Sequence, residues 1–313
     1  MNQIHLLKRY PWINDVTKAL PESFMEWVFP AFASFLEQQR TSGNQVKKIM
    51  DGQNGEWKDK EHPTIFHAVL NSKLPSHEKT FMRMQDDAQM LVMAGTLTTA
   101  MTLEVIIFWL LKKPDVLRKL KDELRTAIPT HQDIGTLSMP QLESLTYLSA
   151  VIKEGLRLSY GASARLQRVD PDNEILFTDK DNGKQYVIPP KTPVGMTSVI
   201  IHHDENCFPD SHNFIVDRWL APDAEKLDKY LVSFSKGSRI CFGRNLGYGM
   251  LYVVLSCMWR QWGSIECKDE DDIGVLRLHN TELKDVEVAA DYFVPRPRKE
   301  SVGVQVKAYM NTV

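Results

Sequence analysis

The sequence predicts a mainly α-helical protein with a minor β-sheet, an α+β fold. Apolar residues recur at helical spacing through most of the first 160 residues and again after residue 246. Short runs rich in β-branched and aromatic residues, divided by the turn sequences DNG and PPK, occur between residues 174 and 200. This order of elements indicates a helical body that carries a small sheet.

Helical patterns dominate the first third of the chain. Residues 23–40 have a helical pattern that Pro30 interrupts, and the polar stretch over residues 41–63 predicts a surface excursion. A long helix is expected at about residues 78–111, where two lysines and Pro114 end it. Its uninterrupted apolar run is far shorter than the ~20 residues that span a bilayer, so we interpret it as a helix buried in a protein core.

The remaining elements follow in order. An amphipathic helix begins at Pro114, and another helix is expected at about residues 139–158. Short strands come next, and residues 224–243 have no regular pattern. A long apolar helix then begins near Leu246, and the last fifty residues have the pattern of strands and turns.

Composition excludes several classes of protein. The 313 residues carry a formal net charge of −2, which provides no electrostatic footprint for nucleic acid. The N-terminus lacks the apolar core of a signal peptide. No C-x-x-C pair occurs, so the cysteines indicate a reducing compartment and neither a disulfide framework nor a zinc ribbon. The four cysteines are Cys207, Cys241, Cys257 and Cys267.

One cysteine lies in a constrained loop, FSKGSRICFG, over residues 234–243. Gly237 and Gly243 permit a positive φ or the close approach of a flat ligand. Arg239 can pair with an acidic group, and the helix expected after Cys241 directs its positive end toward the sulfur, which favours a thiolate. Cys241 is therefore a candidate metal ligand. A nucleophile with a distant base and a small buried residue are the alternatives.

A charged pair lies on the helix expected at about residues 139–158. Glu154 and Arg157 are spaced i, i+3, which places both side chains on one face of that helix. An ordinary surface ion pair, with a contribution below about 1 kcal/mol, is the simpler interpretation.

The long helix contains AGTLTT over residues 94–99. Glycine and threonine inside a helix weaken its hydrogen-bond ladder, and the Thr98 hydroxyl can turn onto the carbonyl of Ala94. A local opening of the helix is therefore expected. The alternative is a core helix with incidental threonines.

These residues together resemble the cytochrome P450 monooxygenases. Phe234, Gly237, Arg239, Cys241 and Gly243 match F-x-x-G-x-R-x-C-x-G, the haem-binding loop of that family. The resemblance implies a haem b cofactor with Cys241 as its axial thiolate ligand, contacted by the other four residues. It also implies the family's fold.

The resemblance assigns a structural role to the charged pair. In the family, this E-x-x-R pair joins a downstream arginine in a buried network that holds the cysteine loop. FIVDRW offers Arg218 at the matching place. The family usually has Pro-Glu before that arginine, whereas this chain has Val216 and Asp217. The network of Glu154, Arg157 and Arg218 is expected to be structural.

AGTLTT resembles A/G-G-x-D/E-T-T of the family's oxygen-binding helix. Ala94, Gly95 and Thr98 are therefore the expected catalytic positions, and Thr98 matches the alcohol that assists proton delivery. Leu97 stands where the family has an acid, so an atypical proton relay is expected.

SARLQRV carries two further implications of the resemblance. Arg168 matches an arginine that contacts a haem propionate, with Arg239 as the second contact, and arginine forks suit carboxylates. A solvated strand arginine is the simpler interpretation of Arg168. Ala162 and Ser163 would line the substrate pocket.

The resemblance implies a monooxygenase that uses dioxygen to oxidise a lipophilic small molecule. The order of residues 187–214 is similar to fungal secondary-metabolism members such as trichodiene oxygenase. No dinucleotide fingerprint or P-loop occurs, so electrons are expected from a separate NADPH-dependent flavoprotein reductase. The family implies the cytosolic face of the endoplasmic reticulum membrane. The sequence as given has no N-terminal anchor, which makes a cytoplasmic location the alternative.

The resemblance covers residues 1–313 as a single incomplete domain that corresponds to the C-terminal part of the family. A truncated, inactive relative or a gene-model fragment, which binds haem or a partner at most, is therefore the alternative function. Another enzyme class is also considered. His202 and Asp204 with the distant His279 have the ligand types of a two-His-one-carboxylate iron site, although a polar turn explains the first two more simply.

Overall fold

The computed structural model describes residues 33–53, 64–179 and 182–311, together with residues 10, 12, 16, 20, 27 and 55. Its residues form two compact units, Met1–Leu97 and Thr98–Val313. The single-domain organisation expected over residues 1–313 stays a prediction. The mainly helical α+β class is confirmed by the elements that follow.

Helices account for most of the described regular structure. Short 3₁₀ turns connect several of the helices, including Val216–Trp219 and Gly237–Arg239. The α-helices are α1 (Ala33–Met50), α2 (Ile65–Asn71), α3 (Phe81–Lys112), α4 (Pro114–Ala127), α5 (Met139–Glu143), α6 (Thr146–Ser159), α7 (Ser198–His202), α8 (Glu225–Asp228) and α9 (Arg244–Gln261).

The described strands form three small groups. One is a hairpin of antiparallel β1 and β2, and a second hairpin pairs β5 with β6. The third has the order β3-β4-β7, with a parallel and an antiparallel pairing. The strands are β1 (Ile175–Thr178), β2 (Gln185–Ile188), β3 (Trp262–Ser264), β4 (Gly274–Leu278), β5 (Ala290–Tyr292), β6 (Val294–Arg296) and β7 (Val306–Met310).

Helix α1 corrects the predicted surface excursion over residues 41–63. The helix continues to Met50, and Gly43 and Val46 lie buried on one face of it. Glycine at position 43 admits the Gln85 side chain, which also donates a hydrogen bond to the carbonyl of Gln39 at 3.2 Å. Because the sequence of this part of α1 is mostly polar, its composition did not indicate the narrow buried face of the helix. Residues 56–63 and most of the pattern over residues 23–32 lie outside the described residues.

Helix α3 is less buried than predicted. Only 28% of its most apolar 18-residue stretch is buried, and Met90 and Val92 are exposed. Its last turns are buried instead, with Ile106 and Leu110 fully enclosed. Its length and composition would also allow it to cross a membrane, which is weak evidence by itself. The core-helix interpretation is therefore wrong for the first half of α3.

Two helices occupy the span where one was predicted, residues 139–158. Leu145 has an extended backbone and separates α5 from α6. The Glu123 carboxylate of α4 accepts hydrogen bonds from the backbone N–H groups of Tyr147 and Leu148, at 2.7 and 2.8 Å. These are donors that the first turn of a helix leaves without an internal partner. A distant carboxylate thus caps α6 and stabilises its start.

The core of the unit Thr98–Val313 lies between the end of α3 and helices α4, α6 and α9. This packing fixes α6 and α9, which carry the candidate site. Its fully enclosed residues include Leu110, Leu117, Leu120, Leu148, Val151, Leu255 and Trp259.

A buried lysine anchors the C-terminal end of α9. Lys121 of α4 is 1% exposed and donates to Asp272 at 2.7 Å, and Asp269 lies 3.3 Å away. The same ammonium donates to the carbonyls of Trp259 and Trp262, at 3.2 and 3.0 Å. An ammonium is tolerated in a core when it is paired and hydrogen-bonded in this way. It joins α4, α9 and the turn before β4.

Two helical glycines are expected to respond in opposite ways to substitution by alanine. In Gly155→Ala the new methyl group would collide with the enclosed Ile106 side chain. We expect the free energy of unfolding to fall by about 1–3 kcal/mol because the core would be overpacked. Gly249→Ala in α9 would meet its nearest atom, of Met139, at 3.8 Å. It should stabilise the protein by up to about 1 kcal/mol through helix propensity. Urea unfolding measures both, and shifts of the same sign would contradict the expectation.

Candidate active site

Cys241 lies at the end of a loop whose backbone is held locally. Its N–H donates to the carbonyl of Phe234 at 2.9 Å, which closes residues 234–241 into a compact turn. Ser235 and Gly237 have positive φ values of 62° and 74°. Gly243, with φ of −82°, is the residue immediately before α9. Of the two glycines, Gly237 has the positive φ that glycine permits, and Gly243 does not.

The Cys241 side chain is exposed and faces a cavity of about 670 Å³. Arg239 and Phe242 are among its lining residues, and the Phe242 side chain is 80% exposed. A methyl group at position 243 would lie 4.0 Å from the Cys241 sulfur, an ordinary van der Waals contact. Cys241 is therefore not a small buried residue. The lining is Ser238, Arg239, Ile240, Cys241, Phe242, Arg244 and Asn245.

Positively charged groups lie around Cys241. Two guanidinium groups, of Arg239 and Arg244, line the same cavity. Helix α9 begins at Arg244, and the N-terminus of an 18-residue helix carries partial positive charge. The described lining contains no histidine that could serve as a base for a nucleophilic cysteine. The role of Cys241 as a metal ligand stays a prediction.

The Glu154–Arg157 pair is buried, not at the surface. Both side chains are fully enclosed, and Arg157 donates two hydrogen bonds to the Glu154 carboxylate at 2.8 and 2.9 Å. The remaining N–H groups of the guanidinium donate to the carbonyls of His202, Ser211 and Asn213 at 2.7–2.9 Å. All five donors of Arg157 are therefore satisfied. The surface-pair interpretation is wrong.

The Glu154 carboxylate accepts hydrogen bonds from three further residues, of which only Arg218 was predicted. Arg218 approaches it at 3.4 Å and also donates to the carbonyl of Pro209. The Ile215 N–H and the Trp219 indole N–H donate to the carboxylate at 2.8 Å each, and neither was predicted. Within the described residues, the Arg218 Nη2 atom is buried without a hydrogen-bond partner, and burial lowers the pKa of this guanidinium.

His202 belongs to the same network. It is fully enclosed, and its Nε2 accepts from the Val232 N–H at 3.0 Å, so Nδ1 carries the proton and donates to the carbonyl of Arg157 at 2.7 Å. Both ring nitrogens are occupied. The described residues include no cluster of three metal-ligating side chains, so the proposed iron site of His202, Asp204 and His279 is wrong. A histidine with two backbone partners leaves no local signal in the sequence.

Arg168 lies near the cysteine loop. Its guanidinium donates to the carbonyls of Leu166 and Gln167, and it lies 3.5 Å from the Ser235 hydroxyl within the loop. The backbone of Arg168 forms a bridge with Val194. The structure therefore brings this predicted residue beside the loop, while the side chain remains exposed.

The predicted catalytic positions lie in α3. A methyl group at position 95 would meet nothing within 4 Å, so there is space beside Gly95. The Thr98 carbonyl accepts from the Thr102 hydroxyl at 3.0 Å, and that hydroxyl lies 2.9 Å from Ser159 of α6. Leu97 is 37% exposed. The expected bond between Thr98 and Ala94 stays a prediction.

The segment after α6 packs tightly against the residues before the cysteine loop. Gly161 has a φ of 67°, and any side chain there would collide with the carbonyl of Ser233. Ala162 and Ser163 follow, and their carbonyls accept from Ser198 and Thr197 at 2.9 and 2.7 Å. Their assignment to a substrate pocket stays a prediction.

Comparisons with known proteins agree with this arrangement. A model of the family "Cytochrome P450" matches residues 14–276. The cytochrome P450 monooxygenase tpcC of Cochliobolus heterostrophus is 42% identical over 303 residues, covering 97% of this chain and 57% of that protein. The cytochrome P450 monooxygenase astB of Talaromyces wortmannii is 39% identical over 297 residues, covering 93% and 59%. The chain thus spans less than two thirds of these curated relatives, both of them fungal.

A solved structure has a similar fold. The crystal structure of a cytochrome P450 (CYP102L1) superposes with a TM-score of 0.64 at 18% identity. The match covers 86% of this chain and 56% of that one. At such identity the likeness shows the fold alone.

Loss of one charge in the buried network predicts a large loss of stability. Glu154→Gln would leave Arg157 enclosed without its carboxylate, and we expect the free energy of unfolding to fall by about 3–5 kcal/mol. Arg83 provides a matched control because it pairs with Asp87 at 3.3 Å while 55% exposed. Arg83→Gln should cost less than about 1 kcal/mol. Equal costs in denaturant unfolding would contradict the buried role of Glu154.

Burial of His202 predicts a pH-dependent stability. Desolvation lowers the pKa of His202 from 6.5 to about 3. Between pH 3 and pH 6.5 the ring is therefore protonated in the unfolded chain and neutral in the folded protein. Stability from the neutral ring is present above pH 6.5 and is lost as the pH falls toward 3. His202 should contribute a slope of about 1.4 kcal/mol per pH unit in that window.

Urea unfolding at several pH values checks this slope. His202→Gln should lose the slope of that residue, while His203, whose pKa burial lowers to about 4, keeps part of the total. His77, 76% exposed, provides the control substitution His77→Gln, which should leave the slope unchanged. An identical slope in His202→Gln and the unaltered protein would show that His202 does not stay neutral.

Proposed function

Because this chain belongs to the cytochrome P450 family, we propose that it forms the haem-thiolate centre of a monooxygenase, with Cys241 as the axial ligand. The observation that carries the proposal is the exposed sulfur of Cys241 beside a cavity of about 670 Å³. The family implies a haem-thiolate cofactor, and haem b is the form proposed here. When bound, the haem would supply activation of dioxygen and transfer of one oxygen atom to a substrate.

The residues around Cys241 fit a flat, largely apolar group that carries acidic substituents. Ile240 and Phe242 line the cavity and are 39% and 80% exposed, which places apolar surface beside the sulfur. The guanidinium groups of Arg239 and Arg244 line the same cavity and suit carboxylates. The chain thus offers exposed apolar surface, a cysteine sulfur and cations within one site.

Five other residues are proposed to hold the cofactor. Arg239 and Arg168 would bind its two propionates, and Arg168 already lies beside Ser235 of the loop. Gly237 gives the loop its left-handed turn, and Gly243 lies beside the sulfur directly before α9. The ring of Phe234 joins the loop to α9, since its centroid lies 5.2 Å from that of Tyr248 on that helix.

The buried network is proposed to hold the thiolate in place. Arg157 binds His202 through its carbonyl, and His202 in turn accepts from Val232, two residues before Phe234. The Ser233 hydroxyl also donates to the carbonyl of Leu156 at 2.7 Å. Two bonds from α6 and α7 therefore reach the start of the loop. In this proposal, Glu154, Arg157 and Arg218 position the cysteine loop and take no direct part in the reaction.

Thr98 is proposed to hold and pass a proton at its Oγ1 atom, with Ala94 and Gly95 providing the opening in α3. The space beside Gly95 supports this proposal. Leu97 cannot carry a proton, so the second proton donor of this site differs from an adjacent carboxylic acid. The proposal therefore includes an atypical relay.

The whole protein's substrate and partners are proposed from the family and from its fungal relatives. A lipophilic small molecule of fungal secondary metabolism is the proposed substrate, and a likeness to trichodiene oxygenase in particular adds little. Dioxygen and a separate NADPH-dependent flavoprotein reductase are the proposed co-substrate and electron donor. The cytosolic face of the endoplasmic reticulum membrane is the proposed location.

A difference spectrum tests the proposed ligand. The protein expressed with haem supply, reduced and exposed to carbon monoxide should show the red-shifted Soret band of a thiolate-ligated haem. Cys241→Ser should lose that band because serine provides no thiolate. Cys257→Ser, a cysteine of α9 outside the cavity lining, is the matched control and should retain it. Soluble, folded protein without the band would refute the proposal and favour an inactive relative.

A further inference from the structure

We propose that Thr102 and Ser159 are positioning residues that hold Thr98 in place relative to the cysteine loop. Thr102 lies in α3, one turn after Thr98, and Ser159 is the last residue of α6. Because the role of Thr98 in proton transfer belongs to the proposed function, this inference rests on that function. Thr102 and Ser159 would act through Thr98 and would not touch substrate or cofactor.

The hydroxyl groups of these two residues form a buried pair between the helices. Both residues are 4% exposed, and the two oxygen atoms lie 2.9 Å apart. A hydroxyl group enclosed without a hydrogen bond is strongly disfavoured, so each group depends on its partner. The pair therefore fixes one point of contact between α3 and α6.

The direction of the hydrogen bonds follows from the number of protons. Each hydroxyl group has a single proton to donate. Thr102 donates to the carbonyl of Thr98 at 3.0 Å, so Ser159 is the donor to the Thr102 oxygen. The other contact of the Ser159 hydroxyl, with the carbonyl of Leu156, is longer at 3.4 Å. A directed chain thus runs from Ser159 through Thr102 to the Thr98 carbonyl.

This chain acts on the backbone of α3 at Thr98. The helical hydrogen-bond ladder assigns the Thr98 carbonyl to the N–H of Thr102, and the Thr102 hydroxyl shares that acceptor. A threonine bonded to the carbonyl four residues earlier slightly destabilises and often bends a helix. Because Ser159 holds the Thr102 side chain in this conformation, the backbone at Thr98 is set from a second helix.

The same end of α6 also holds the cysteine loop. The carbonyl of Leu156, one turn before Ser159, accepts from the Ser233 hydroxyl at 2.7 Å, at the start of that loop. Gly155 allows α3 and α6 to approach closely, since a methyl group there would collide with Ile106. The last turns of α6 therefore contact both α3 and the loop, and they set the position of one relative to the other.

Infrared spectroscopy of the reduced protein with carbon monoxide tests the positioning role. The C–O stretching band responds to hydroxyl dipoles near the bound gas, so Thr98→Val should displace it. Thr102→Val, which removes the hydroxyl and keeps the branched shape, should also displace or split the band, and Thr102→Ser should restore it. The double variant should match Thr98→Val alone, because Thr102 acts through Thr98. An unmoved band in Thr102→Val, or additive shifts in the double variant, would overturn the proposal.

Hydrogen exchange of the backbone amides provides a second readout on the same protein. The amides of residues 98–102 should exchange roughly fivefold faster in Thr102→Val and in Ser159→Ala, because each variant loses one hydrogen bond of the chain. Thr126→Val is the matched control, since it removes the same kind of bond in α4, from the Thr126 hydroxyl to the carbonyl of Asp122 at 2.9 Å. It should leave the exchange of residues 98–102 and the C–O band unchanged. Unaltered exchange in Thr102→Val would contradict the chain.

The two readouts separate this inference from the proposed function. Absence of the Soret band from the unaltered protein would refute the proposed function and, with it, the role assigned to Thr98. A normal Soret band with faster exchange but an unmoved C–O band in Ser159→Ala would show that the hydroxyl pair only stabilises the fold. That result would refute this inference alone.

Discussion

The enclosed Arg157 guanidinium is the group around which the unit Thr98–Val313 is organised. A buried cation is costly unless it is paired and each of its donors is used, and Arg157 meets both conditions through Glu154 and three backbone carbonyls. Those carbonyls belong to residues 202, 211 and 213, which have no regular strand or long helix to position them. One side chain thus organises an irregular segment that secondary structure alone would leave undefined.

A short series of hydrogen bonds connects this network to the loop that carries the Cys241 sulfur. The carbonyl of Arg157 accepts from His202, and His202 accepts from Val232 at the entrance of the cysteine loop. At the other end of the loop, α9 begins directly after Gly243, and Lys121 anchors the far end of that helix. The loop itself contains two left-handed residues, and these contacts hold it at both ends.

Residues with short-range signals were predicted most fully. The turn glycine Gly237, the helix that follows Cys241 and the i, i+3 pair Glu154 and Arg157 all follow from spacing within a few residues. The burial of that pair did not follow from spacing, because it depends on carbonyls about 45 to 56 residues away. The break between α5 and α6 was also missed, since the capping Glu123 lies on another helix. Likewise, small residues on the polar α1 become a buried face only when α3 lies against them.

By itself, the sequence determined the helical class, the family resemblance and the position of the one cysteine set in a glycine-rich loop before a helix. These features depend on local backbone preferences and on residues close together in the chain. The tertiary structure alone decided that His202 is a buried structural ring and that Trp219 donates to the buried Glu154 carboxylate. Burial and the pairing of distant polar groups are properties of the packed chain, because desolvation acts on whatever the fold encloses.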